Sequence, residues 1–150
     1  LLVIYYDGEK TNPIWKFSVL RYNGEKYAVY YSPDLTYGGL QNLGLKYYKQ
    51  KKYKLAEICF RNVITVYSDS NSIDINNLAL SLMKQNKNDE AENLLLKELT
   101  KRKSADTFYN LSLVYKNKGD VENELKYLTK SNNLVQSDCK TKRINELKLK

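Results

Sequence analysis

The chain has no histidine among its 150 residues. That excludes histidine-based triads, histidine metal sites and imidazole acid–base chemistry together. Two cysteines, Cys59 and Cys139, are too few and too far apart for a zinc site or a disulfide framework, and they assign no redox compartment. Cys59, beside Phe60, reads as a small apolar core residue. Gly38-Gly39 lacks the Gly-Lys-Ser/Thr that would complete a phosphate loop, and neither nucleotide-binding glycine pattern occurs. Glu90 and Glu92 stand two apart, so on a helix they diverge rather than converge. No enzyme, no metal and no cofactor is expected. No apolar run approaches the ~20 residues of a membrane-spanning helix.

Arginine is also scarce. Only Arg21, Arg61, Arg102 and Arg143 contribute to the 25 basic residues that, against 17 acidic ones, give a net charge of +8. Phosphate-reading surfaces favour arginine or gather their lysines on one face. Here the lysines are scattered, so the charge reads first as solubility, with a nucleic-acid or anionic-surface module as the competing class. The apolar share of 42% is enough to bury a core in a chain of about one domain. The chain opens on Leu1 rather than methionine, so it reads as a trimmed or mature form in which any upstream targeting signal or domain would have been lost; an accessory domain of a larger enzyme truncated here is a further competing class. A soluble domain is expected, of the cytoplasm or of the cell envelope.

What the sequence does have is a spacing that returns three times. Leu40-x-x-Leu43-Gly44-x-x-Tyr47 is followed by Ala56-x-x-x-Phe60. Ile75-x-x-Leu78-Ala79-x-x-Leu82 is followed by Ala91-x-x-x-Leu95, and Phe108-x-x-Leu111-Ser112-x-x-Tyr115 by Glu124-x-x-x-Leu128. In every copy the small position of the second segment stands nine positions after the last anchor of the first. The starts lie 35 and 33 residues apart. Each copy reads as an αα-hairpin whose helices cross where a small residue leaves room. An ordinary bundle has no reason to repeat such a spacing.

The pattern resembles the tetratricopeptide repeat (TPR) family over about residues 37–136: large-x-x-Leu-Gly-x-x-Tyr, then Ala-x-x-x-Phe, then Pro. Copy three departs at Glu124, where the family prefers alanine. The closing proline is replaced by Ser68, Lys103 and Gln136. The expected fold is mainly α, an αα-hairpin superhelix of three TPR-like repeats, preceded by a small antiparallel β meander and followed by a C-terminal capping helix. Residues 1–33 form the β-rich segment, whether part of this domain or the end of a truncated upstream one. Residues 34–136 form the repeats, and residues 137–150 a capping helix, spaced by Ile144 and Leu147, or a basic tail.

Within the first segment Leu1 to Tyr6, Ile14 to Tyr22 and Tyr27 to Tyr31 read as strands, with Asn23-Gly24 a hairpin signal. Trp15, Phe17, Val19, Tyr27 and Val29 are expected to share one face. Pro33 marks the boundary, and Asp34 or Thr36 can cap the first helix. Helices are expected from there to about Gln50, then over residues 53–67, 72–85, 89–100, 105–117 and 120–134. Asp89 and Asp120 are expected caps, and Gly119 an expected helix stop.

In the family the first helix of each pair lines a concave side that serves as a peptide groove. The resemblance therefore implies groove positions at Gln41, Leu45, Tyr48 and Lys49 in copy one. The equivalents are Asn76, Leu80, Met83 and Lys84 in copy two, and Tyr109, Leu113 and Lys116, with Asn117, in copy three. Leu45, Leu80 and Leu113 make either an apolar stripe for a partner or contacts with a neighbouring helix. Flanking lysines suit an amphipathic helix or extended segment with acidic flanks. One family subtype clamps the carboxylate end of chaperone tails; the matching positions here, Gln41, Leu45 and Asp106, are wrong in size or charge. The expected function is a non-catalytic protein-interaction scaffold that binds a peptide or helix of another protein, or a second copy of itself.

Overall fold

The computed structural model of the chain describes residues 2–6, 15–22, 27–32, 37–66 and 71–149, with side chains over 37–65 and 71–149. Three strands, β1 (Leu2–Tyr6), β2 (Trp15–Tyr22) and β3 (Tyr27–Ser32), form an antiparallel sheet in the order β1-β2-β3. Val19 stands opposite Tyr30 and Leu20 opposite Val29. Odd positions of β2 therefore face even positions of β3, which separates Val19 from Tyr27 and Val29 and corrects the expected common face. The cause is loop parity: Tyr22 pairs with Tyr27, so an even number of residues lies between the paired ends. Because side chains alternate along a strand, that count fixes which positions share a face. The expected caps Asp34 and Thr36 lie outside the described residues.

Seven helices follow among the described residues: α1 (Tyr37–Lys49), α2 (Tyr53–Val66), α3 (Ser72–Met83), α4 (Asn88–Lys101), α5 (Ala105–Lys118), α6 (Val121–Leu134) and α7 (Asp138–Lys148). Each packs on the next, and α3 also touches both α1 and α5. Among the described residues no such contact joins α2 to α4 or α4 to α6. The odd-numbered helices are thus the closer-set layer, and the stack curves toward them. Anchors from all three repeats meet in one core, Ala56 and Phe60 with Leu78, Ala79, Leu82, Ala91, Leu95, Leu111 and Tyr115, while Leu128 belongs to a separate cluster with α7.

The small positions sit where the spacing places them. A Cβ built on Gly44 would lie 2.7 Å from Cε1 of Phe60, so any larger residue there would force the Phe60 ring or the first helix pair to shift. Ala79, Ala91 and Ser112 are buried. The turn inside each pair carries one left-handed residue: Lys51 (φ 59°), Asn86 (φ 59°) and Gly119 (φ 76°). These three turns repeat at the same interval as the anchors. Only the third uses the residue type that adopts this conformation without strain.

Caps differ in part from the expected ones. Asn71 caps α3, its side chain accepting from the Ile73 and Asp74 amides while Asp74 reaches back to the Asn71 amide. Asp120 accepts from the Asn123 amide at the head of α6, and Gly119 closes α5, both as the sequence indicates. Asp89, however, lies in the first turn of α4 rather than at its cap, which is Lys87. Asp89 instead pairs with Lys118 at 2.7 Å. The last helix closes the stack by burying Ile144 and Leu147 against Leu128.

Glu124, the departure in copy three, is buried at 4% exposure. Arg143 of α7 grips it with two parallel bonds, Nε to Oε1 at 2.8 Å and Nη2 to Oε2 at 3.1 Å. A carboxylate can replace the small residue there because the neighbour is a cap carrying a guanidinium rather than another repeat. Glu57 of α2, equally buried, accepts from Lys87 Nζ, Arg61 Nε and Gln85 Nε2 at 2.8–2.9 Å. Burial alone would push its carboxyl up. The hydrogen bonds from Lys87, Arg61 and Gln85 outweigh this and hold it down at about 2.

Candidate functional site: a cleft along the odd-numbered helices

Two of the expected groove residues are used up in binding the repeats to each other. Gln41 of α1 donates to Asp74 of α3, which also accepts from Tyr37 Oη at 2.6 Å. Burial, then the Asp74 carboxylate, pushes the Tyr37 phenol up to about 12. One repeat on, Asn76 of α3 is buried and donates to Thr107 of α5 at 3.3 Å, while accepting from Asn110 at 3.0 Å. Gln41 and Asn76 occupy equivalent positions, as do Asp74 and Thr107. The same bridge therefore recurs at both joints. It satisfies polar groups that the packing of the odd-numbered helices would otherwise strand.

Six of the remaining positions, Tyr48, Leu80, Met83, Lys84, Leu113 and Lys116, gather further toward the C-terminal ends of α1, α3 and α5. A cleft of about 610 Å³ opens there. Tyr48, Leu80, Met83 and Leu113 supply its apolar lining, and Lys84 and Lys116 its charge. Asn117 also lines it, with Asn86 and Asn88. The two latter asparagines come from the α3–α4 turn and the start of α4, beyond the reach of spacing on the odd-numbered helices. No carboxylate is among the lining residues. Leu80, Leu113 and Tyr48 each divide between the cleft and the core beneath it. The ring of Tyr48 also meets Tyr53 edge-on at 5.4 Å.

Leu45 is 38% exposed and Lys49 is exposed; neither lines this cleft. Tyr109 lies outside it, beside a smaller cavity between α5, α6 and α7. That cavity shares Leu113 and Lys116 with the cleft, so the two adjoin. Its contributions from α7 were not among the sequence-derived positions. The one signal for them was Glu124, a charge at a small-residue position, which needs a partner from elsewhere in the chain. Among the described residues no group of histidine, cysteine or carboxylate side chains could hold a metal ion. None of the described helices is long and apolar enough to cross a membrane.

Stacked αα-hairpins with a cleft on the curved side define a helical-repeat scaffold. The family model described as the SusR N-terminal TPR domain matches residues 22–146, and the chain belongs to this tetratricopeptide family. The match begins within β2, so it takes in β3 as well as all seven helices but for the last residues of α7. No curated protein matches in sequence. Among solved structures, the TPR2AB domain of yeast Sti1 in complex with an HSP90 peptide is 15% identical, with a TM-score of 0.66. The superposition covers 75% of this chain and 46% of that one, so this chain spans about half the length of that domain structure. The first TPR of Spaghetti (RPAP3), bound to the HSP90 peptide SRMEEVD, gives 18% identity, a TM-score of 0.68, and coverage of 75% and 90%. The Sgt2 TPR domain from Aspergillus fumigatus gives 16%, 0.66, and 79% and 80%. At such identities the likeness is one of fold.

Proposed function

We propose that this domain is a non-catalytic interaction scaffold that holds a segment of another protein in the cleft between α1, α3 and α5. The observation that carries the reading is the composition of that cleft: an apolar floor from Tyr48, Leu80, Met83 and Leu113, with Lys84 and Lys116 and no acid at its edge. A segment with apolar side chains on one side and acidic flanks fits that lining. TPR domains generally serve as scaffolds, and two of the similar structures hold HSP90 peptides. Here the partner is a different one. At the positions where the chaperone-tail subtype grips a terminal carboxylate stand Gln41, engaged with Asp74, Leu45, and the acidic Asp106.

The test is partner capture by the chain and by two variants. Leu80→Glu places a charge in the apolar floor, while Lys84→Glu with Lys116→Glu reverses the edge without touching the core. Both are expected to lose the partner, with the double variant keeping its helical far-UV CD. Capture retained by both would remove the groove reading. A steep loss of binding with salt that tracks nucleic acid or lipid instead of protein would favour the competing basic-surface class.

A further inference from the structure

The cavity beside the cleft, about 340 Å³ between α5, α6 and α7, has a chemistry of its own. Leu113 and Leu128 make its floor, and Lys116, Lys140 and Arg143 reach it from two helices. The one carboxylate among its lining residues is Glu124, and both of its oxygens are taken by Arg143. Arg143 also reaches Glu146 on α7 at 3.4 Å. The Lys140 ammonium donates to the Val135 carbonyl at 2.9 Å and lies 5.8 Å from the centre of the Tyr109 ring. An ammonium has three donors, so Lys140 keeps capacity for another acceptor. Arg143 is spent on Glu124 and Glu146, which leaves two cations, Lys116 and Lys140, with no further carboxylate among the lining residues, over an apolar floor continuous with the cleft at Leu113 and Lys116.

From this charge imbalance and this continuity we propose that the cavity receives an aspartate or glutamate side chain of the same partner segment. The proposal rests on the groove reading and adds a direction to it. The apolar residues of the segment lie between α1, α3 and α5, and its acidic residue lies toward α7, between Lys116 and Lys140. A carboxylate there gains two ammonium partners, in a site partly shielded by the Tyr109 ring. A lysine or an apolar residue at the same place would leave the cations uncompensated.

Cys139 lines the same cavity and is exposed, whereas Cys59 is buried and its thiol is pushed up to about 11 by that burial. A thiol reagent therefore reports on the cavity through Cys139. The experiment selects a random peptide library displayed on phage against the whole chain, then compares the winners on Leu80→Glu, Lys140→Glu and Lys140→Gln. Peptides lost on Leu80→Glu are expected to carry an acidic residue beside an apolar block. Their binding should fall about tenfold on Lys140→Glu and less on Lys140→Gln. Binding should recover on Lys140→Glu when the peptide acid is changed to lysine, and bound peptide should slow thiol reaction at Cys139 severalfold. Winners lost on Leu80→Glu but indifferent to Lys140 and to their own acids would overturn this inference and leave the groove reading standing. Winners indifferent to Leu80→Glu would remove both.

Discussion

Arg143→Met cuts the tie between the last repeat and its cap, and its effect can be worked from the geometry. Glu124 is 4% exposed and both of its carboxylate oxygens accept from Arg143, whose side chain is 30% exposed. Removing one partner of a fully buried pair costs about 3–5 kcal/mol, because the other charge is left uncompensated. Partial access of water to Arg143 lowers the expectation to about 2–3 kcal/mol. The double variant Glu124→Ala with Arg143→Met should recover most of that loss. Alanine is what the other repeats carry at this place, as Ala56 and Ala91, and methionine can cover Leu128. Urea unfolding followed by CD measures both, with an unchanged slope showing that the unfolded state has not shifted. The single variant should also free α7, seen as earlier proteolysis within residues 138–148. A single variant within about 0.5 kcal/mol of the parent, or a double variant as unstable as the single, would refute the role given to this pair.

Three further outcomes are expected. Gly44→Ala should lose about 1–2 kcal/mol even after the gain in helix propensity, since its Cβ meets the Phe60 ring, and Phe60→Leu should recover part of it in thermal melts. Lys51→Gly should gain about 1 kcal/mol in the same melts by relieving the left-handed conformation, whereas glycine at Lys52 should not. Glu57 sets an acid limit. The unfolded chain takes up its proton near 4.5 and the folded chain not until about 2, so its contribution is complete above the first value and lost as pH falls toward the second. That shift corresponds to on the order of 3 kcal/mol, reduced by solvent at the half-exposed Lys87 and Arg61, and Glu57→Gln should flatten urea-measured stability over the same acid range.

Much of the fold was legible because a repeat reports its own register. Gly44 against Phe60, and the Gly119 stop followed by the Asp120 cap, are local chemistry with few alternatives. The breaks at residues 50–53 and 85–89 were legible as turns between helices, but the left-handed backbone at Lys51 was not, because lysine seldom adopts it; asparagine at 86 tolerates it and glycine at 119 adopts it freely. Gln41 and Asn76 show the limit at the site. Helical spacing places them toward the odd-numbered side, but spacing cannot tell an open cleft from a joint between neighbouring repeats. The polar partners Asp74 and Thr107, from the next repeat, decide it. Met83, Leu80 and Leu113 line the cleft and each also reaches the core, so stripe and packing are not alternatives at these positions. The α7 contribution depended on a contact between Glu124 and Arg143 that no periodicity encodes.

The measurement closest to the central claim is a nitrogen–proton chemical-shift map of the chain titrated with a peptide that it selects. Shifts concentrated at Tyr48, Leu80, Lys84, Leu113 and Lys116, with the exposed positions of α2, α4 and α6 unmoved, are the expected result. Shifts gathered instead on the even-numbered helices, around Lys97 or Lys126, would contradict it.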